Sequence, residues 1–280
     1  MGTNADKHAR QKERRSRVDE ARRQIERKSR RNRQMAIAGA VLAILVVIGV
    51  LVVLTRSDDS ADPDTNADVS STTTATEAAD LPAPPAGITL SAETECPPPG
   101  GSDERVQKFA GPPPKCIDPA ATYTATFATT EGEFTATLDS QTAPIAVNNF
   151  VVLSRYHFYD GVPFHRIVPG FVIQAGDGDG APWGNNDLGY EFEDELPTDS
   201  SAYTDHSLAM ANAGPGTNGS QFFVVLPGGG AQLQPNYTKF GQVTQGTDVV
   251  DAIGALGTAT QEPSKAVLIE SVTITETPAG

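Results

Sequence analysis

From Tyr123 onward the apolar positions of this chain fall into short alternating runs. Tyr123, Ala125 and Phe127 alternate with threonines, Glu131-Gly132 marks a turn, and Phe134, Ala136 and Leu138 alternate again. That is the pattern of a hairpin with one buried face. The period then lengthens. Thr142 and Pro144 open a helix whose Val147, Phe150, Val151 and Ser154 share one side, and Thr247 is the expected cap of a second helix carrying Val249, Val250, Ile253 and Leu256. Val267–Ile274 closes the run as a strand. Residues 122–276 are long enough for one substantial core. Many strands with two well-separated helices predict a mainly β fold, a closed antiparallel barrel.

Upstream of this region the hydrophobic pattern is of another kind. Met35–Leu54 is an uninterrupted charge-free stretch rich in Val, Ile, Leu and Ala. A helix of that length, at about 1.5 Å per residue, covers a hydrocarbon core of about 30 Å. It is longer than a signal-peptide core and no small-residue cleavage site follows, so an uncleaved single-span transmembrane anchor is expected. Residues 55–92 are rich in Ser, Thr, Ala, Asp and Pro, with few large apolar side chains, and read as a disordered linker. Residues 93–121 form a Pro-rich segment in which Cys96 and Cys116 flank Pro97-Pro98-Pro99 and Pro112-Pro113-Pro114. In an oxidising compartment this pair is expected to form a disulfide; two free thiols are the alternative.

Charge assigns sides to the anchor. Residues 1–34 carry 13 Lys or Arg against 5 Asp or Glu, whereas the overall charge is −14, so everything after the arm is strongly acidic. A basic arm before an apolar span belongs in the cytoplasm, which places the rest of the chain outside the cell membrane. The arm could also meet anionic lipid or nucleic acid, but setting topology is its simpler role. The acidic remainder excludes a nucleic-acid surface.

Two segments carry the candidate chemistry: Phe164–Asp177, FHRIVPGFVIQAGD, and Met210–Phe223, MANAGPGTNGSQFF. In each, apolar and aromatic residues alternate with a few polar side chains, and glycines and a proline punctuate the backbone. Arg166 is a permanent planar donor. Phe171, Val172, Phe223 and Leu233 could line an apolar pocket, while Gln174, Asn212 and Gln221 can donate and accept at once, as peptide recognition requires. His165, beside Arg166, points the opposite way by alternation and reads as a packed histidine.

With the later fragment Pro235–Gly241, PNYTKFG, these segments resemble the signature stretches of the cyclophilins, the peptidyl-prolyl cis/trans isomerases. The resemblance runs from about Tyr123 to Glu276. It implies an eight-stranded barrel with a helix at each end, and rotation about X-Pro bonds with no cofactor and no metal. Arg166 matches the family's catalytic arginine. Phe171, Val172 and Phe223 match its proline pocket, and Gln174, Ala211, Asn212 and Gln221 match positions that contact the substrate backbone or orient the arginine. Tyr237 stands where the family commonly has a histidine, and Gln232 where many members have a pocket-edge tryptophan. Weak or absent binding of cyclosporin-type peptides is expected from that second departure.

Other patterns lead nowhere. Gly214–Gly219 fits a dinucleotide-binding glycine spacing, but a strand follows it where a helix is needed. Asp177-Gly178-Asp179-Gly180 lacks the later glutamate of a calcium loop. The acidic run Glu191, Glu193, Asp194 and Glu195 could favour basic substrates, with a solvated loop as the plainer reading. The expected protein is thus a tethered isomerase acting on proline-containing peptides or exported proteins. The alternative is a non-catalytic binding module for such peptides, for which Gln232 and Tyr237 are the support.

Overall fold

The computed structural model describes residues 78–184 and 187–279. The basic arm, the apolar stretch 35–54 and residues 55–77 lie outside them. Among the described residues no helix is long and apolar enough to cross a membrane.

A short parallel pair, β1 (Ile88–Thr89) and β2 (Val106–Lys108), precedes the main sheet. The sheet's nine strands are β3 (Thr122–Thr129), β4 (Gly132–Leu138), β5 (Val162–Pro163), β6 (Arg166–Val168), β7 (Val172–Ala175), β8 (Ser207–Met210), β9 (Phe222–Val225), β10 (Lys239–Gln245) and β11 (Leu268–Thr277). Their spatial order is β5-β11-β3-β4-β10-β8-β9-β7-β6, with every pair antiparallel.

The expected closed eight-stranded barrel is therefore corrected to a curled nine-stranded sheet, open between β5 and β6. These edge strands are consecutive in the chain, with only Phe164 and His165 between them. β5 pairs with β11 and β6 with β7. One stretch changes partner in mid-course, and it cannot hydrogen-bond to its own continuation to close the ladder.

The predicted hairpin is β3–β4, with Phe127 opposite Phe134 and their rings stacked at 4.5 Å. Helix α1 (Pro144–Arg155) drives Phe150 into the sheet's concave side, against Phe127, Phe222 and Phe240. No side chain at the N-cap, Ala143, closes this helix. Instead the Glu195 carboxylate accepts the N–H groups of Ile145 and Ala146 from fifty residues away, at the positive end of the helix dipole. Helix α2 (Thr247–Gly254) also lacks a side-chain cap. The expected cap, Thr247, is its first helical residue and Gly246 is the N-cap, at φ +71°. A Cβ on Gly246 would lie 2.4 Å from the Glu133 carbonyl oxygen, so backbone proximity overrides capping chemistry there.

The upstream segments are more ordered than composition suggests. Within 78–92, Ala79 donates to the Pro263 carbonyl, and Ile88 and Leu90 donate to the carbonyls of Arg105 and Lys108. These residues bury little themselves but find partners on an existing surface. Segment 93–121 is part of the domain: Val106, Phe109 and Ile117 join the main core, and the Cys96–Cys116 disulfide is present.

Strands β7, β8 and β9 are buried on both faces. Ile173, Phe222 and Val224 enter the main core, while Val172, Phe223 and Val225 point the other way, into a second cluster with Tyr203, Ala209 and Leu233. That outer cluster is the floor of the candidate site.

Candidate active site

Sheet register assembles the site. On β6, Arg166 stands opposite Gln174 of β7, and Gln174 stands opposite Phe223 of β9. Three residues of two distant sequence segments are thereby placed side by side. Val172, two residues before Gln174, shares its face of β7, and Phe171 extends that row at the strand's start.

A pocket of about 110 Å³ opens on this face. Val172, Phe223 and Leu233 form its apolar floor and are almost completely buried. Phe171 and Tyr237 form its sides, the Tyr237 ring meeting Phe223 edge-on at 5.3 Å. Arg166, Gln174, Ala211 and Asn212 complete the rim. A second pocket, of about 220 Å³, continues past Gln174, Ala211 and Asn212, and there Gln221 joins the lining. All ten residues singled out from sequence for catalysis or substrate contact therefore line one or the other of two pockets that share Gln174, Ala211 and Asn212.

Polar contacts fix the direction of the guanidinium. The Gln174 side-chain amide donates to Gln221 Oε1 at 2.9 Å, and its own oxygen accepts from Arg166 Nη1 at 3.4 Å. On the other side Arg166 Nε donates to Gln261 Oε1 at 2.9 Å. Two of five guanidinium N–H groups are engaged, which leaves three to face the pocket or solvent. The Asn212 side chain is partly committed, donating to the Asn236 carbonyl and accepting from Gly214 N–H.

His165 is buried as alternation predicts, stacked on Trp183 with ring centroids 5.9 Å apart. Burial, reinforced by the neighbouring Arg166 charge, pushes it down to about 4, so the ring is neutral near pH 7.

Sequence reasoning missed two supporting groups, Gln261 and Tyr203, and the bracing role of a third residue, Gln232. Gln261 lies ninety-five residues from Arg166 in a turn where it adopts φ +68°. Tyr203 fastens Tyr237 twice, its hydroxyl donating to the Tyr237 carbonyl and accepting from the Tyr237 N–H. Gln232, at the end of the turn Gly229–Gln232, donates to the Gly170 carbonyl and braces the residue before Phe171. No local motif marks these supporting contacts. The acidic run is also more than a solvated loop: Asp194 accepts from Gly216 N–H and from the Asn218 side chain, Glu195 caps α1, and Glu191 lines the second pocket. Beyond the glycine-rich turn the chain enters β9, a strand, as its spacing suggested.

Comparison with known proteins accords with this geometry. A crystal structure of a Cryptosporidium parvum cyclophilin type peptidyl-prolyl cis-trans isomerase superposes with a TM-score of 0.51 at 28% identity, over 56% of this chain and 99% of that one. The same Cryptosporidium protein in the presence of the dipeptide Ala-Pro gives a TM-score of 0.50. Peptidyl-prolyl cis-trans isomerase A of Mycobacterium tuberculosis is 41% identical over 174 residues, 56% of this chain and 94% of that protein. Peptidyl-prolyl cis-trans isomerase B of Streptomyces anulatus is 41% identical over 171 residues, 54% of this chain and 95% of its own length. Fold and groove thus define a proline-directed isomerase. Residues 124–274 match the family described as cyclophilin type peptidyl-prolyl cis-trans isomerase/CLD, and the chain belongs to that family.

Proposed function

We propose that Arg166 speeds rotation of X-Pro bonds by donating a hydrogen bond to the proline nitrogen of the twisted amide. Amide planarity comes from lone-pair donation into the carbonyl, and losing it costs roughly 18–20 kcal/mol. As the bond twists, the lone pair returns to nitrogen, which becomes a hydrogen-bond acceptor only in that state. A fixed cationic donor therefore stabilises the twisted form over either planar form, which is the requirement for catalysis. The floor of Val172, Phe223 and Leu233, with Phe171 and Tyr237 at its sides, holds the pyrrolidine ring while the rest of the peptide turns. Gln221 and Gln174 act in series to aim the guanidinium.

The observation that carries this reading is Arg166 gripped on both sides at the rim of an apolar pocket. Line-shape NMR on a proline peptide tests it. Arg166→Ala should lower turnover by about 10²-fold while peptide binding changes little. Turnover within a few-fold of wild type would overturn the role given to Arg166.

The same proposal extends to place and clients. The basic arm 1–34 and the span 35–54 support a single-pass membrane protein with a cytoplasmic N-terminus, and the disulfide suits an oxidising exterior. There the isomerase assists the folding of exported proteins near the membrane surface. Resistance of the full chain to alkaline extraction from membranes checks the anchor; release into the supernatant argues against it. Gln232, a short amide at the Gly170 carbonyl, supplies no indole surface, in keeping with weak cyclosporin binding.

A further inference from the structure

The second pocket is walled in part by Leu188, Tyr190 and Glu191. A segment far upstream, Arg105–Phe109, grips that wall. Phe109 N–H donates to the Leu188 carbonyl at 3.0 Å, and its ring packs edge-on against Tyr190 at 6.3 Å. Gly189, at φ +97°, lies so close to this segment that a Cβ there would sit 2.0 Å from the Phe109 carbonyl oxygen. Lys108 Nζ reaches Asp187 at 3.1 Å, and the Gln107 amide donates to the Gly178 carbonyl at 3.0 Å. Arg105 donates to the Phe158 carbonyl and covers that residue's ring.

None of these gripping residues falls within 124–274, the stretch that matches the family. They stand inside the loop closed by the Cys96–Cys116 disulfide, which ties both ends of the segment together. Phe109 is 3% exposed, so the segment is anchored in the core on one side and on the pocket wall on the other.

We infer that Gln107, Lys108 and Phe109 are positioning residues for peptide recognition. Phe109 holds the Leu188–Tyr190 wall directly. Lys108 holds Asp187 beside it, and Gln107 fastens Gly178 and Asp179, whose carboxylate accepts from the Asp187 N–H. Together they set the shape of the second pocket, and so the affinity for peptides that extend beyond the X-Pro pair. The proline pocket itself shares no residue with this wall. This rests on the proline-pocket reading proposed above, and takes the adjoining second pocket to hold a neighbouring part of the same peptide.

The test compares two ligands on the full-length chain in detergent: capped Ala-Pro, which fills the proline pocket alone, and an uncharged octapeptide with a central proline. Affinity for each is read by NMR titration, which does not depend on turnover. Phe109→Ala should weaken octapeptide binding by about five-fold, a loss of about 1 kcal/mol, and leave capped Ala-Pro within two-fold of wild type. Because Phe109 is also a core residue, the double variant Gln107→Ala/Lys108→Ala is measured beside it. It leaves the core untouched and should show the same selective loss, at about two-fold or more. Equal weakening of both ligands would reduce the segment to a stabilising role, and octapeptide affinity unchanged in both variants would remove it from recognition altogether; either result overturns the inference. Failure of the wild-type chain to bind capped Ala-Pro would instead count against the proline pocket, and the octapeptide comparison would still decide the role of the wall.

Discussion

Both groups that hold the Arg166 guanidinium are neutral amides, Gln174 and Gln261. They fix its direction without offsetting its charge, and a carboxylate in either place would compete with the reacting nitrogen for the same donors. Two substitutions separate direction from charge. Gln261→Ala should lower kcat by about three- to ten-fold through lost positioning, with peptide affinity nearly unchanged. Gln261→Glu keeps an acceptor for Nε but adds an opposing charge, and should lower kcat further than Ala does. If Glu proves the milder change, the hydrogen bond rather than the free charge is what matters. Gln261 was out of reach of sequence reading because its partner lies ninety-five residues away on β6 and its left-handed backbone follows from a turn, not from a motif. Arg166, Gln174, Gln221 and Phe223 were legible because two dense segments place them at alternating positions on adjoining strands. His165 was legible for the same reason and brings a pH dependence. Its pKa falls from about 6.5 in the unfolded chain to about 4 when buried, so the unfolded state binds the extra proton between those values. The stability due to its burial as a neutral ring is complete above about pH 6.5 and declines as the pH falls toward 4. The loss should reach about 3 kcal/mol by order of magnitude. Denaturant midpoints measured across that window should fall less steeply in His165→Phe than in wild type, and parallel curves would exclude His165 as the cause.

At the scale of elements, strand and helix periods predicted the hairpin β3–β4, both helices and β11, since each buries one face against a single core. What the periods could not predict were terminations and partners. The cap of α1 comes from Glu195 and that of α2 from a glycine whose place is dictated by β4. The partner change between β5 and β6 leaves no trace in hydrophobic spacing, so a closed eight-stranded count was the natural expectation. The segment 93–121 was legible as a disulfide candidate but not as a structural member, because its core contribution is spread over single residues such as Val106, Phe109 and Ile117. The disulfide confines a loop of about twenty residues, and removing it should release chain entropy worth about 3 kcal/mol to the unfolded state. Cys96→Ser/Cys116→Ser should therefore lower the denaturant midpoint at neutral pH by that equivalent, and wild type under reductant should match it. An unchanged midpoint would mean that packing alone holds this segment to the domain.

For the whole molecule, the strong charge asymmetry bears on encounter with clients. The chain carries −14 overall despite the basic residues 1–34, so the rest of the sequence carries a strong excess of negative charge. Part of that charge lies at the site, where Glu191 lines the second pocket beside Gln174, Ala211 and Asn212. Asp194 is bonded to Gly216 and Asn218, the neighbours in sequence of the lining residues Thr217 and Gly219. A positively charged peptide is drawn to such a surface and an acidic one is repelled, and salt should screen both effects over the Debye length, about 10 Å at 0.1 M. For a peptide with lysine beside the X-Pro pair, kcat/KM should fall roughly three- to ten-fold between about 0.02 and 0.5 M salt, chiefly through KM. An uncharged peptide of the same length should hardly respond, and a glutamate-flanked one should improve as salt rises. Because the bond rotation itself separates no charge between enzyme and solvent, kcat should stay level in all three. A common slope for the three peptides would mean that salt acts on the protein's structure, and the acidic surface would then have no part in selecting clients.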